Sequence, residues 1–107
     1  MRSTGQVHRQ GQHVKLTGAI TLETVTAIYR ETRCWQQKND LPESVDLNQI
    51  EGLDSSCVAL LLEWASWAKS AGRQIQFANP PGALCALVHL FDIEQVLALE
   101  NACNTSS

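Results

Sequence analysis

Residues 46–62 read DLNQIEGLDSSCVALLL, and this stretch decides the fold. Polar and apolar residues alternate over Ser44–Leu47, which begins two residues before this stretch. The alternation predicts a short strand there. We interpret Asn48–Gly52 as a connection. Asp54 then stands directly before a long run without glycine or proline, Ser55–Ala71, which predicts a largely apolar helix with Asp54 at its start. The stretch is therefore interpreted as a strand, a loop and a buried helix.

Working towards the N-terminus, the pattern predicts a hairpin and then a helix. Val7–Arg9 and His13–Thr17 are the predicted hairpin strands, and Gly18 is expected to end the second one. Thr21 is the predicted N-cap, after which apolar residues recur at helical spacing. This helix should stop before the turn formers that begin at Asn39.

Working towards the C-terminus, Gly72 is expected to cap the buried helix. Gln74–Phe77 alternates as a strand does, and Ala83–Leu90 is predicted to be a short apolar helix. Residues 93–99 form a last apolar patch, either a strand or a helical turn. The order β-β-α-β-α-β-α-(β/α) predicts an α/β fold: a mixed, mostly parallel sheet of four to five strands with helices packed on it.

Composition excludes several functions. The chain has 107 residues and a net charge of −3, and its 8 basic residues are scattered, so a nucleic-acid footprint is lacking. No segment approaches the roughly 20 apolar residues of a membrane span, so we expect a cytoplasmic protein without direct membrane insertion. The four cysteines show no metal-ligand spacing, so neither metal nor cofactor is expected. We interpret the cysteines inside apolar stretches as small hydrophobic residues, and Cys103 as an exposed thiol.

The Asp54–Ser55 pair stands where unpaired backbone N–H groups and the helix dipole favour negative charge. A serine at such a place can carry a phosphate. Catalysis by Ser55 is not supported, because the nucleophile-elbow motif is absent and no motif ties His8, His13 or His89 to it. We therefore expect no enzyme activity.

The same stretch resembles the signature of the STAS domain family, the fold of bacterial anti-sigma-factor antagonists and of sulfate-transporter tails. That signature runs D-L-S/x-x-V-x-x-D-S/T-x-G-L-x-x-L between the third strand and the second helix. The likeness continues through Ala68–Gly72 and Ile75–Phe77. It implies the STAS fold over a single domain, residues 7–100, with flexible termini at residues 1–6 and 101–107.

Within the family, the chain is similar to the small STAS subunits of ABC phospholipid transporters that maintain outer-membrane lipid asymmetry. This likeness implies a non-catalytic subunit that binds and regulates the transporter ATPase, held with its permease at the inner face of the inner membrane. The alternative is an anti-sigma-factor antagonist, in which a serine-kinase partner phosphorylates Ser55. The implied site is Asp54, Ser55, Ser56 and Cys57, where Cys57 replaces the usual family glycine.

The predicted apolar helix also carries a side that we expect to face a partner. Trp64 and Trp67 lie three residues apart on one side of it, while Leu61, Ala65 and Ala68 already supply an inward stripe. We expect at least one of the two tryptophans to be partly exposed and, with Glu63, to belong to the partner surface.

Overall fold

The computed structural model describes residues 5–91 and residue 93, and it has the predicted α/β architecture. Its elements are β1 (Gln6–Gln10), β2 (His13–Ile20), α1 (Val25–Gln37), β3 (Ser44–Leu53), α2 (Ser55–Ser70), β4 (Gln76–Ala78) and α3 (Gly82–Phe91). The four strands form one sheet in the order β1-β2-β3-β4. The β1–β2 pair is antiparallel and the other two pairs are parallel. The mixed, mostly parallel sheet is therefore confirmed.

The sheet has one apolar face and one polar face. In β2, the buried Val14 and Leu16 alternate with the exposed His13 and Lys15. The apolar face continues into β3 and β4 through Val45, Leu47 and Phe77, all fully buried. These side chains join those of the three helices in a single core, so the helices cover the apolar face.

The third strand is longer than the sequence predicted. Ser44–Leu53 has 10 residues, whereas its partner β2 has 8. The difference is absorbed where the pairing shifts register, between Lys15 and Thr17 and again between Gly18 and Ala19. The interpretation of Asn48–Gly52 as a connection is therefore wrong, because bulges interrupt the alternation on which strand prediction depends.

The second strand does not end at Gly18, as was expected. Gly18 has a φ of 83°, a conformation that glycine adopts at little cost, and pairing continues through Ala19 and Ile20. A glycine that disrupts the alternating pattern can thus mark an irregularity inside a strand as well as its end.

The first helix begins later than predicted, at Val25. The four residues Thr21–Thr24 form a turn in which the backbone N–H groups of Thr24 and Val25 donate to the carbonyl of Thr21. The Thr24 hydroxyl donates to the carbonyl of Ala19 at 2.7 Å, which fixes the turn to the end of β2. Thr21 is therefore a turn residue and not the N-cap. The helix ends at Gln37, before Asn39, as predicted.

The second helix ends as the sequence indicated. Gly72 has a φ of 71°, and its N–H donates to Lys69 while the N–H of Arg73 donates to Ala68. This is the Schellman arrangement, which satisfies carbonyls that the helix end leaves unpaired.

The first described residues lie close to the expected start of the domain at residue 7. Gln6 is already part of β1, and Gly5 packs closely against Ala19, Ile20 and Ile28. The expected tail 101–107, the last residues of the predicted domain and the final apolar patch after residue 93 lie outside the described residues. Among the helices that the structure describes, none has the length and hydropathy needed to cross a bilayer.

Candidate functional site

The N-terminus of α2 is organised by the side chain of Asp54. One carboxylate oxygen accepts the N–H of Ser56 at 2.8 Å, and the other accepts the N–H of Leu22 at 3.1 Å. The Asp54 N–H donates in turn to the carbonyl of Ile20 at 3.3 Å. Asp54 is thus the predicted cap of α2, and it also joins that helix to the turn before α1.

The surroundings of Asp54 favour its charged form. Partial desolvation acts to raise the pKa of this carboxyl, but the hydrogen bonds from Ser56 and Leu22 outweigh it, so the pKa lies below its ordinary value of 3.8. The carboxylate remains largely open to solvent. The start of α2 therefore presents a fixed negative charge at neutral pH.

Ser55 is the first residue of α2 and is exposed, and Ser56 after it is half-buried. A group attached to the Ser55 hydroxyl would lie at the positive end of the helix dipole, beside the carboxylate of Asp54. The sequence-based placement of these two serines at an accessible helix start agrees with the structure.

Cys57 does not belong to this surface. Its side chain is fully buried, and burial, with a smaller contribution from the charge of Asp54, raises the pKa of its thiol to about 12. The third position of the helix points into the core, so including Cys57 among the partner-binding residues is wrong. Its side chain therefore adds nothing to the outer surface of the helix start.

The other cysteines differ from one another. Cys34 is an exposed free thiol. Cys85 is disulfide-bonded, so its interpretation as an unmodified hydrophobic residue is wrong, because spacing along the chain does not reveal which sulfurs meet in space. Cys103 lies outside the described residues.

Trp64 and Trp67 are both buried, which contradicts the expectation that one of them is partly exposed. They expose 0% and 6% of their surface. The indole N–H of Trp64 donates to the hydroxyl of Thr32 at 3.0 Å, and its ring lies 5.0 Å from that of Trp35. Trp67 packs 5.6 Å from the ring of Tyr29. Helix α1 covers both tryptophans, so they are core residues and not a partner surface.

Glu63 is exposed, and it borders a groove that the sequence analysis did not identify. The groove lies between α1 and α2, has a volume of about 190 Å³, and is lined almost entirely by apolar surface. Its lining comprises Val25, Thr26, Tyr29, Ala59, Leu60 and Glu63. The helical spacing of Ser55, Ala59 and Glu63 on α2 indicates this stripe, but its partner stripe on α1 depends on tertiary packing.

Leu22 extends this surface beyond the groove. It is 73% exposed, and the hydrogen bond from its N–H to Asp54 places it beside the start of α2. We name the following set the helix-start surface: Leu22, Thr26, Asp54, Ser55, Ala59 and Glu63. It combines a charged cap, a free hydroxyl and an apolar groove, which are features of a protein-binding surface.

The histidines of the first two strands lie away from Ser55. His8 and His13 hydrogen-bond with Thr17 and Ser44 on the polar face of the sheet. Within residues 5–91 and 93, no group of three or more His, Cys, Asp and Glu residues is placed to hold a metal ion.

The family model described as MlaB, STAS domain, matches residues 4–99 of the chain. The chain belongs to the MlaB STAS domain family. The helix start at Asp54–Ser55 and the strand before it lie inside the matched range, so this site is part of the STAS domain itself. No curated protein matches the sequence.

Solved structures similar to this STAS domain have the anti-sigma-factor-antagonist fold. A Thermotoga maritima protein assigned as an anti-sigma factor antagonist is 12% identical, with a TM-score of 0.74 over 89% of this chain and 84% of its own. The phosphorylated form of SpoIIAA, a cell-fate determinant of Bacillus, is 13% identical, with a TM-score of 0.66 over 97% and 100%. Unphosphorylated SpoIIAA is 14% identical, with a TM-score of 0.64 over 81% and 83%. These likenesses establish the STAS fold.

Proposed function

We propose that this STAS domain is a non-catalytic subunit of an ABC phospholipid transporter, and that it binds and regulates the transporter's cytoplasmic ATPase. The family match to MlaB supports this proposal. The observation that carries it is the helix-start surface, where exposed Leu22 and Ser55 flank an apolar groove that the core does not fill. Proteins of this kind take part in maintaining the lipid asymmetry of the outer membrane, and the domain would reach the inner membrane only through its partner.

The chemistry of the surface defines what the ATPase must present. An apolar side chain fits the groove between Tyr29 and Ala59, because most of the groove's lining is apolar. A basic residue beside it would pair with Glu63, and a hydrogen-bond donor would meet Asp54. Protein–protein interfaces usually have this organisation, with an apolar anchor residue in a pocket and polar residues around it.

Binding of the purified ATPase, measured by calorimetry, tests this surface. Ser55→Arg places a long cation in the middle of the surface and should weaken binding by at least about 1.4 kcal/mol, which is tenfold. Thr26→Arg should do the same, because Thr26 lines the groove. Ala27→Arg is the matched control, since Ala27 is equally exposed on α1 but does not line the groove.

Either of two results would contradict the proposal. Recovery of no ABC ATPase when the tagged protein is captured from native membranes would remove the transporter partner. Equal loss of binding in the Thr26→Arg and Ala27→Arg variants would show that the groove is not the contact.

A second candidate function is a phosphorylation switch, as in the anti-sigma-factor antagonists. It is favoured by the exposed hydroxyl of Ser55 at the first position of α2 and by the likeness to phosphorylated SpoIIAA. A phosphate there adds close to two negative charges beside Asp54 and would repel a partner that binds the unmodified surface. Incubation with the cognate kinase and intact-mass measurement tests this, with Ser55→Ala as the control.

A further inference from the structure

The polar face of the sheet, opposite the helices, holds a concavity of about 580 Å³. Its lining includes His8 and Gln10 from β1, His13, Lys15 and Thr17 from β2, and Asp46 and Gln49 from β3. Parallel sheets are usually covered on both faces. Here the described helices pack on the apolar face, and these polar side chains remain accessible.

Three basic side chains converge in this concavity. His8 lies directly opposite Lys15 in the antiparallel pair, and His13 lies two residues before Lys15 on the same face of β2. Neighbouring hydroxyls orient both imidazoles: His13 Nδ1 lies 2.6 Å from Ser44 Oγ, and His8 Nε2 lies 3.3 Å from Thr17 Oγ1. The other nitrogen of each ring is left for a ligand.

Lys15 has no carboxylate partner in the part of the chain that the structure describes. The ion pair found there joins Arg9 to Asp40 at 3.2 Å. Asp46 lies opposite Lys15 in the pairing of β2 with β3, but one oxygen of its carboxylate accepts the N–H of Asn48 and the amide of Asn79. Among the described residues no ion pair of the Lys15 ammonium group is found, and Lys15 lines the concavity.

The bulge in β3 adds an amide to this cluster. The register shift after Lys15 pairs Thr17 with Gln49, so consecutive exposed residues, Asn48 and Gln49, follow Leu47. A regular strand would have turned every second side chain towards the core. The bulge thus brings the side-chain amide of Gln49 to the same concavity as the basic groups.

We propose that this concavity binds a phosphate group, held by Lys15 with His8, His13 and Gln49 around it. A phosphate accepts several hydrogen bonds at once, and charged donors make the strongest of them. Asp46 is the one carboxylate in the lining, beside four basic residues, of which Arg9 is already paired with Asp40. This site is separate from the helix-start surface and does not depend on the transporter assignment. The phosphate is that of a free polyphosphate or of a phosphomonoester.

The test follows the imidazole signals of His8 and His13 by NMR while inorganic pyrophosphate is added at constant ionic strength. Glycerol 3-phosphate replaces pyrophosphate in a parallel titration, and the tighter ligand distinguishes the two sources. The variant is Lys15→Gln, and Lys38→Gln is the control because Lys38 is equally exposed at the far end of α1. Both changes lie on the surface and should leave the fold intact, which circular dichroism checks.

The expected result is saturable shifts of both histidine signals, with affinity reduced at least about fivefold in Lys15→Gln and unchanged in Lys38→Gln. Shifts that do not saturate, that sodium chloride reproduces, or that persist equally in Lys15→Gln would overturn the site.

Discussion

The carboxylate of Asp54 accepts the backbone N–H of Leu22 at 3.1 Å, across 32 positions of the chain. The same carboxylate caps α2 through Ser56. One side chain therefore fixes two neighbouring segments of the helix-start surface, the first turn of α2 and the turn that carries the exposed Leu22. Loss of that side chain should affect the stability of the fold and the shape of the surface together.

Removal of the Asp54 side chain tests its contribution to the stability of the fold. We expect Asp54→Ala to lower the free energy of unfolding by about 1–2 kcal/mol, because both N–H groups lose their acceptor. Asp54→Asn should cost less, since asparagine is an equally favoured cap residue. Urea denaturation of the three proteins measures the difference. Equal stability of Asp54→Ala and the parent protein would show that the cap contributes nothing.

The lowered pKa of Asp54 makes its contribution depend on pH. Because the folded-state pKa lies below the ordinary value, the stability gained from the charged carboxylate is present above that ordinary value and is lost as the pH falls through the folded pKa. The stability difference between the parent protein and Asp54→Asn should therefore shrink from about pH 5 to about pH 2. A difference that stays constant over this range would contradict the assignment.

The buried hydrogen bond between Trp64 and Thr32 gives a third prediction. Thr32→Val keeps the shape of the side chain but leaves the indole N–H without its acceptor, at a cost of about 1–3 kcal/mol. Thr32→Ser keeps the hydroxyl and loses only a methyl group, so it should be the more stable variant. Thermal unfolding of both proteins measures the order, and the reverse order would contradict it.

Gly5, just before β1, and Gly52, near the end of β3, provide a matched pair for testing backbone packing. A Cβ at Gly5 would lie 2.7 Å from the carbonyl oxygen of Ala19, whereas a Cβ at Gly52 would meet nothing within 4 Å. We expect Gly5→Ala to destabilise the fold by about 1–3 kcal/mol, because backbone must move to admit the methyl group. Gly52→Ala should be neutral or slightly stabilising. Denaturant unfolding of both variants measures this, and a neutral Gly5→Ala would mean that the start of β1 is not packed as described.

The free thiols Cys34 and Cys57 should differ in reactivity. Iodoacetamide at about pH 8 should label Cys34 in the folded protein and leave Cys57 unmodified, because Cys57 is buried and its thiol pKa is raised to about 12. Peptide mapping by mass spectrometry distinguishes the two, and labelling in guanidinium serves as the positive control. Modification of Cys57 in the folded protein would show that the helix start opens readily.

Local signals in the sequence predicted the elements that local interactions determine. The cap at Asp54 and the glycine end of α2 at Gly72 were identified because both depend on residues within one helical turn. The last part of β3 was missed, since its bulges depend on pairing with β2. The start of α1 was placed too early because Thr21 is a turn residue tied to the rest of that turn.

The candidate site was predicted only in part, because some of its features depend on packing between segments that are distant in the sequence. Asp54, Ser55 and Glu63 follow from position along α2, and all three are exposed. The burial of Cys57 and of both tryptophans on α2 depends on what packs over that helix. The apolar stripe of α2 indicated that a neighbour covers it, but not that α1 covers the tryptophans and leaves Ala59 open.

The hydroxyl of Thr32 makes a second buried contact, donating to the carbonyl of Ile28 within α1. Sliding or rotation of α1 along α2 would separate this hydroxyl from the Trp64 indole and leave a polar group without a partner in the core. These buried hydrogen bonds therefore favour a single arrangement of the two helices, present before any partner arrives. A protein that docks in the groove would lose little conformational entropy in ordering it, so a small contact area could suffice for a specific complex.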